Sequence, residues 1–90
     1  MATLLTADGS RRAVSPANGT DFKLKELRAF VGGDIERVAL KDGKILIVHE
    51  MGKFEGFDEN KEATRLFAEA HGHRDIIVGD VLYCNEDEVK

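Results

Sequence analysis

The sequence has a single cysteine, Cys84, so no disulfide bond can form within the chain. A chain without internal disulfides fits a reducing compartment, and we expect a cytoplasmic location. The longest apolar run, residues 45–48, is far shorter than the roughly 18 residues that a membrane helix needs. Asp8 interrupts the N-terminal segment before a signal-peptide core can form. The sequence therefore predicts neither membrane association nor secretion.

Charge of one sign is not concentrated anywhere in the chain. The 13 Lys and Arg residues are interleaved with 17 Asp and Glu residues, for a net charge of −4. Without a basic stripe there is nothing to hold a phosphate backbone, which argues against nucleic acid as a partner.

The motifs that carry catalysis or cofactor binding are also lacking. Gly32-Gly33 follows a predicted helix instead of preceding one, so it cannot cradle a phosphate in the usual way. His71-Gly72-His73 lacks the paired spacings typical of zinc sites, and histidines at the end of a helix also interact favourably with its negative end. We expect no enzymatic activity, no cofactor and no metal. Cys84 is expected to be a buried strand residue, because no basic cluster adjoins it in the sequence.

What is present is the composition of a globular protein. Hydrophobic residues make up 42% of the 90 residues and charged residues 33%, which argues against disorder and allows one core. We expect a single domain over residues 1–84 and a flexible acidic tail over residues 85–90.

Turn signals and hydrophobic periodicity divide the chain into seven elements in the order ββ-α-ββ-α-β. They are strands over 3–6 and 11–15, a helix capped by Thr20 or Asp21 and ended by Gly32-Gly33, strands over 35–40 and 44–50, a helix capped by Asp58 or Asn60 and ended by Gly72, and a strand over 75–84 with a bulge at Gly79-Asp80. The order predicts an α+β fold: one small domain with a mostly antiparallel sheet of about five strands covered by two helices.

Asp42-Gly43 is a favoured pair for a two-residue type I′ hairpin between the third and fourth strands. The fourth strand is apolar on both faces through Ile47 and is expected to be central in the sheet. Counting outward from the turn pairs Leu40 with Ile45, Val38 with Ile47, and Glu36 with His49. Ile35 is out of phase with Val38 and Leu40, which indicates a bulge at the start of the third strand.

Four segments resemble a family of short uncharacterised proteins carried by bacteriophages and mobile elements. They are Val31-Gly32-Gly33-Asp34-Ile35-Glu36, His49-Glu50-Met51-Gly52-Lys53, Asn60-Lys61-Glu62-Ala63-Thr64 and residues 77–82. The family is a domain of unknown function with a V-G-G-x-I-E signature, and the resemblance covers about residues 14–84. It implies the fold and a phage or plasmid context, in the cytoplasm of a bacterial host, and it implies no activity. His49 stands where the family frequently has Asn.

The predicted register places Glu36 beside His49, at the end of an otherwise apolar sheet face. One interpretation is a ligand-contacting pair in which the carboxylate orients the imidazole, and the other is an ordinary cross-strand pair. A candidate ligand site at this end of the sheet consists of Glu36, His49, Glu50, Lys53, Asn60 and Arg65. Asn60 has the alternative role of a plain helix cap.

Phe54 and Phe57 flank Gly56 in the loop after the fourth strand. They form either a surface patch or a plug beneath the second helix, and we favour the plug.

These observations favour a non-enzymatic accessory protein that binds a host protein through a sheet edge or through the loop that carries Phe54 and Phe57. The alternative is a sponge-like binder of a small polar or nucleotide-like ligand at the Glu36/His49/Asn60 end of the sheet. Small sheets with open edges often dimerise, so a homodimer is compatible with the sequence, which does not determine the oligomeric state.

Overall fold

A computed structural model describes residues 2–89, which fold into one five-stranded sheet with two helices. The elements are β1 (Ala2–Leu5), β2 (Arg11–Val14), α1 (Leu24–Val31), β3 (Ile35–Ala39), β4 (Lys44–His49), α2 (Lys61–His71) and β5 (Val81–Asn85). The strand order is β2-β1-β5-β4-β3, and every neighbouring pair is antiparallel. The α+β class and the element order are confirmed. β5 is the middle strand, and β4, predicted to be central, lies between β5 and β3.

The sheet carries a separate hydrophobic core on each face. On one face α1 packs Leu27 and Val31 with alternate strand residues that include Ile47 and Leu82. On the other face α2 packs Ala63, Leu66 and Phe67 with the intervening residues, among them Leu46, Val48 and Val81. Because both faces are covered, β4 is apolar at every position from Ile45 to Val48.

The two helices begin with different kinds of cap. In α2 the Asn60 side chain accepts a hydrogen bond from the Ala63 amide, which confirms one of the two predicted caps. In α1 the cap is Lys23, later than the predicted Thr20 or Asp21, and Glu26 Oε1 accepts from its backbone N–H at 3.0 Å. Thr20 instead donates its amide to the side chain of Asn18 in the preceding turn. Gly32, with φ of +87°, ends α1 as predicted.

The β3–β4 hairpin has the predicted turn but not the predicted register. Asp42 and Gly43 both have positive φ, +58° and +72°, as a type I′ turn requires. Lys44 donates its amide to the Lys41 carbonyl, but its own carbonyl accepts from Leu40, so Lys41 is an extra residue in the ladder. The pairing is therefore shifted by one residue, with Val38 opposite Leu46 and Ala39 opposite Ile45.

Ile35 is out of phase with Val38 because the two residues lie on opposite faces of β3 and each face of the sheet has its own core. Ile35 packs against the core beside α1, whereas Val38 and Leu40 pack against the core beside α2. The predicted bulge at the start of β3 is thus replaced by one at Lys41, at the other end of the strand.

The C-terminal end of the chain differs from its prediction in two ways. β5 begins only at Val81, and the preceding segment contributes a single bridge, between Glu59 and Val78. The expected flexible tail is packed: Glu86–Glu88 forms a 3₁₀ turn, and Val89 is 8% exposed in the core beside α1. Phe22 donates its amide to the Glu88 carbonyl at 2.7 Å, which ties this segment to the chain ahead of α1. Lys90 lies outside the described residues.

Candidate functional site

The Glu36–His49 pair predicted from the hairpin does not form. Residues directly opposite each other on antiparallel strands share a face. Glu36 is opposite Val48, on the face that α2 covers, and His49 is opposite Ile35, on the face that α1 covers. The one-residue shift at Lys41 thus sends the two side chains to opposite sides of the sheet.

His49 is held by its surroundings on the α1 side. Its Nδ1 accepts a hydrogen bond from the Met51 amide at 3.0 Å, and its ring meets the Phe57 ring edge to face, with 4.9 Å between centroids. A Cβ added to Gly33 would lie only 2.5 Å from His49 Nε2. Gly33 therefore provides the space that the imidazole occupies, and these contacts give His49 a packing role.

A cavity of about 410 Å³ lies on the α2 side of the sheet, between β3, the end of β4 and the loops that follow β4 and α2. Its apolar walls include Val38 and Val48 from the strands, Phe67 from α2, and Ile77 from the loop before β5. Glu36, Glu50 and Lys53 also line it, so three of the six predicted site residues meet at one place, and His49 borders the cavity while its ring packs on the α1 side. Ligand pockets commonly fall in this volume range.

Two exposed apolar side chains stand at the rim of this cavity. Phe54 is 85% exposed and Ile76 is 45% exposed. Phe54 sits at the tip of a tight loop in which Glu55 donates its amide to Met51 and Phe57 donates its amide to Gly52. The expectation that Phe54 plugs the core is therefore wrong. Phe57 packs against His49, away from α2.

Some charged side chains that line the cavity form ion pairs and others do not. Lys53 forms an ion pair with Asp75 at 2.9 Å, and hydrogen bonding to that ammonium lowers the pKa of the Asp75 carboxyl. Among residues 2–89, neither Glu36 nor Glu50 has an ion pair or side-chain hydrogen bond. Arg37 does not neutralise them, because its guanidinium donates to the Val89 carbonyl, 3.4 Å away on the α1 side. The cavity therefore keeps two uncompensated carboxylates.

β3 forms one edge of the sheet, directly beside the cavity. Leu40 donates its amide to Lys44 and Asp34 accepts from Glu50, so the even-numbered residues of this stretch point their backbone groups at β4. The backbone N–H and C=O groups of Ile35, Arg37 and Ala39 consequently point outward from the sheet. An outward ladder of this kind can pair with another extended chain.

His71 closes one end of that outward ladder. Its Nε2 lies 2.7 Å from the Ala39 carbonyl oxygen, and since a carbonyl only accepts, Nε2 is the protonated ring nitrogen. The ring also stacks on Phe67, with 4.3 Å between centroids. The outward backbone groups that remain for a partner are those of Ile35 and Arg37, together with the Ala39 N–H.

Asn60 and Arg65, the other two predicted site residues, lie away from the cavity. Asn60 is 1% exposed, and its Nδ2 donates to the carbonyls of Leu5 and Gly79, both at 2.9 Å. It therefore serves as a helix cap and as a link between β1 and the loop before β5. Arg65 is exposed on α2, where it pairs with Glu62 and Glu69 on the same helix.

Cys84 and the histidines also have definite positions. Cys84 is buried in β5, and burial, followed by the nearby Glu88 carboxylate, raises the pKa of its thiol to about 11. The rings of His71 and His73 are 6.1 Å apart between centroids, and both contact Phe67. Over residues 2–89, no group of three or more His, Cys, Asp or Glu side chains is placed to hold a metal ion.

The segments that carried the family resemblance are mostly structural. Gly32 ends α1, Gly33 accommodates His49, and Asn60 caps α2. Thr64 Oγ1 accepts the Ile77 amide at 3.0 Å. Glu36 and Glu50 also belong to these segments, and no such packing or capping role accounts for their carboxylates.

Sequence reasoning missed the contribution of Phe54 and Ile76 to the cavity rim. One signal was present for Phe54, because it stands between Gly52 and Gly56 in a short loop, where a large apolar side chain has little core to join. Ile76 gave no such signal, since its alternation with Val78 suggested a buried strand position.

None of the helices over residues 2–89 is long and apolar enough to cross a membrane. No curated protein and no solved structure matches the chain. A family model described as Domain of unknown function (DUF3846) matches residues 2–90. The match spans nearly the whole chain, and the protein therefore belongs to this family of domains of unknown function.

Proposed function

We propose that this domain is a protein-binding module that receives an extended segment of a partner protein along the outer edge of β3. The observation that carries the proposal is the coincidence of an outward backbone ladder with a cavity of about 410 Å³ rimmed by exposed Phe54. Strand addition of this kind obtains affinity from backbone hydrogen bonds and specificity from pockets for alternate side chains.

The neighbouring pocket supplies the second half of this recognition mode. Side chains of an added strand alternate between the two faces of the sheet. Those on the α2 side would continue the row formed by Glu36 and Val38, and the cavity opens beside that row. Burial of the Phe54 side chain by such a segment contributes about 1.5–3 kcal/mol to binding.

A second copy of this chain fits the β3 edge less well than a different partner. In the symmetric antiparallel register that overlaps all of β3, Arg37 would lie opposite Arg37 of the other copy. Moving the centre by one residue towards the N-terminus would place Glu36 opposite Glu36. Like charges directly opposite each other destabilise a strand pair. A homodimer through β3 therefore stays an alternative, which light scattering of the purified protein tests.

We place this module in a non-enzymatic accessory protein of a bacteriophage or mobile element that acts on a host protein in the bacterial cytoplasm. The support for this setting is the resemblance carried by the Val31–Glu36 and Asn60–Thr64 segments, together with the single buried cysteine.

A small-ligand binder is the second candidate, because the cavity has the volume of many ligand pockets. The uncompensated carboxylates of Glu36 and Glu50 oppose a nucleotide-like anion there and favour a neutral or cationic ligand. A ligand that binds only the folded protein raises its stability by RT ln(1 + [L]/Kd). A thermal-shift screen of nucleotides and cationic metabolites that shows stabilisation at low ligand concentration would favour this candidate.

The strand-addition proposal is tested with a displayed library of random octapeptides and the full chain as bait. Arg37→Pro blocks the β3 edge without removing a bond of the β3–β4 ladder, because the Arg37 N–H points outward. Arg37→Ala controls for loss of the guanidinium. Ala13→Pro is the matched control on β2 at the opposite edge, since the Thr6–Ser10 hydrogen bonds make the Ala13 N–H point outward as well.

We expect the wild type, Arg37→Ala and Ala13→Pro to retain the same enriched peptides, and Arg37→Pro to retain none of them. The enriched peptides should be rich in residues of high strand propensity. Circular dichroism checks that each variant is folded. Equal retention by Arg37→Pro and Ala13→Pro, or no enrichment on the wild type, would refute binding at this edge.

A further inference from the structure

We propose that the partner segment carries a lysine or arginine opposite Glu36, with its aliphatic stem in the cavity and its cationic head between the Glu36 and Glu50 carboxylates. This inference rests on the proposed function, because it assumes that a strand adds to β3. It names the chemistry of the side chain that the cavity selects.

The first step is the geometry of pairing at Glu36. The backbone groups of Glu36 point at β4, so a strand added to β3 would bond through Ile35 and Arg37 instead. In antiparallel addition, the partner residue opposite Glu36 would therefore occupy a non-hydrogen-bonded pair, in which Cα atoms are about 4.5 Å apart and side chains are closest. That partner side chain would lie on the α2 face, at the mouth of the cavity.

The second step is the charge at that mouth. Glu36 and Glu50 line the cavity without a partner among residues 2–89. The lysine and the arginine that line the cavity are engaged elsewhere, since Lys53 pairs with Asp75 and the Arg37 guanidinium donates to the Val89 carbonyl. A cation supplied by the partner would form charge-assisted hydrogen bonds with both carboxylates.

The third step is the nature of the walls. Val38, Phe67 and Ile77 line the same cavity with apolar surface, and Phe54, which is 85% exposed, also borders it. Lysine and arginine bury an aliphatic stem while their charged heads stay at a polar rim, and their cations also bind to aromatic faces. A short acidic side chain would meet repulsion from Glu36, and a purely apolar one would leave both carboxylates uncompensated.

The test compares octapeptide selection on the wild type with selection on the double variant Glu36→Gln/Glu50→Gln. Both side chains are exposed and have no partner among residues 2–89, so the double variant keeps the fold. We expect peptides selected on the wild type to carry Lys or Arg at one fixed position, with an apolar residue two positions away, opposite Val38. On the double variant the apolar preference should persist and the basic preference should disappear.

A synthetic peptide from the selected set then gives the magnitude. Replacing its basic residue with norleucine should raise Kd for the wild type about tenfold, as loss of one charge-assisted interaction does, and should change Kd for the double variant less than about twofold. The affinity of the wild type for this peptide should also fall as salt is raised from 50 to 500 mM, because salt screens the attraction between exposed charges.

Different outcomes would refute the basic side chain alone or strand addition at β3 as well. Enriched peptides that Arg37→Pro abolishes, but that lack a basic preference or keep it on the double variant, would overturn the basic side chain and leave strand addition intact. Absence of enrichment, or enrichment indifferent to Arg37→Pro, would overturn both.

Discussion

Replacing Asn60 should destabilise the domain far more than the loss of a helix cap would. Asn60 is 1% exposed; its Oδ1 accepts from the Ala63 amide, and its Nδ2 donates to the carbonyls of Leu5 and Gly79. Loss of the cap costs about 1 kcal/mol, and loss of each Nδ2 hydrogen bond costs about 1 kcal/mol more. Asn60→Ala should therefore reduce the free energy of unfolding by about 3 kcal/mol, a large part of the 5–15 kcal/mol typical of whole domains.

Asn60→Asp separates the two roles. Aspartate caps helices as well as asparagine does, so a capping role alone predicts a stability close to that of the wild type. The geometry predicts the opposite, because a carboxylate oxygen would face the two carbonyls that Nδ2 now serves. Burial and this repulsion would raise the folded-state pKa of the new carboxyl above its unfolded value. The variant should therefore be at least as unstable as Asn60→Ala at pH 7 and should regain stability as the pH falls towards 4.

Urea unfolding followed by circular dichroism measures both variants, with Arg65→Ala on the exposed side of α2 as the control. That control removes only surface ion pairs and should change the free energy of unfolding by less than about 1 kcal/mol. For a domain of this size, a loss of 3 kcal/mol corresponds to a Tm lower by roughly 12–24 °C. An Asn60→Asp variant within about 1 kcal/mol of the wild type at pH 7 would refute the bridging role.

Three further predictions follow from contacts elsewhere in the fold. Gly33→Ala places a Cβ 2.5 Å from His49 Nε2 and should lower the free energy of unfolding by about 1–3 kcal/mol. A double-mutant cycle with His49→Ala should show coupling between the two substitutions, and additive losses would contradict the contact. Burial, followed by the Glu88 carboxylate, raises the pKa of the Cys84 thiol to about 11, above the value in the unfolded chain. The free energy of unfolding should therefore be constant below about pH 8 and decline as the pH rises towards 11, because only the unfolded thiol loses its proton in that range. Rapid reaction of folded protein with a thiol reagent at pH 8 would argue against this burial. Val89→Ser should lower the free energy of unfolding by about 1.5–3 kcal/mol in urea titrations, because Val89 is 8% exposed, whereas a frayed C-terminus would give no loss.

The hairpin at Asp42-Gly43 shows which features local sequence patterns predict and which they do not. The dipeptide identifies the turn correctly, because positive φ at both central residues is a property of the turn residues themselves. It does not determine that Lys41 is extra in the ladder. With Lys41 extra, Ile35 packs in the core beside α1 and Val38 packs in the core beside α2. The Glu86 amide also donates a hydrogen bond to the Gly43 carbonyl. Such contacts come from residues distant in sequence.

The candidate site divides in the same way. Glu36, Glu50 and Lys53 could be named from the sequence, because exposed polar residues near the end of a strand are visible as a pattern, and the structure brings them to one cavity. The pairing of Glu36 with His49 could not be deduced, since a register shift of one residue exchanges the faces of a strand. The glycines around Phe54 indicated only that its loop has little core to join, and the place of Phe54 and Ile76 at the cavity depends on where the loops after β4 and α2 lie.

The sequence by itself determined the elements of this protein: the order of strands and helices, the helix ends at Gly32 and Gly72, and the turn at Asp42-Gly43. It narrowed the cap of α2 to Asp58 or Asn60. These depend on backbone preferences and hydrogen bonds within a few residues. Tertiary structure alone decided the register, the assignment of one helix to each face, the packing of Val89 and the open edge of β3 beside the cavity. These features depend on which apolar surfaces meet when the chain closes, a choice made by burial over the whole domain.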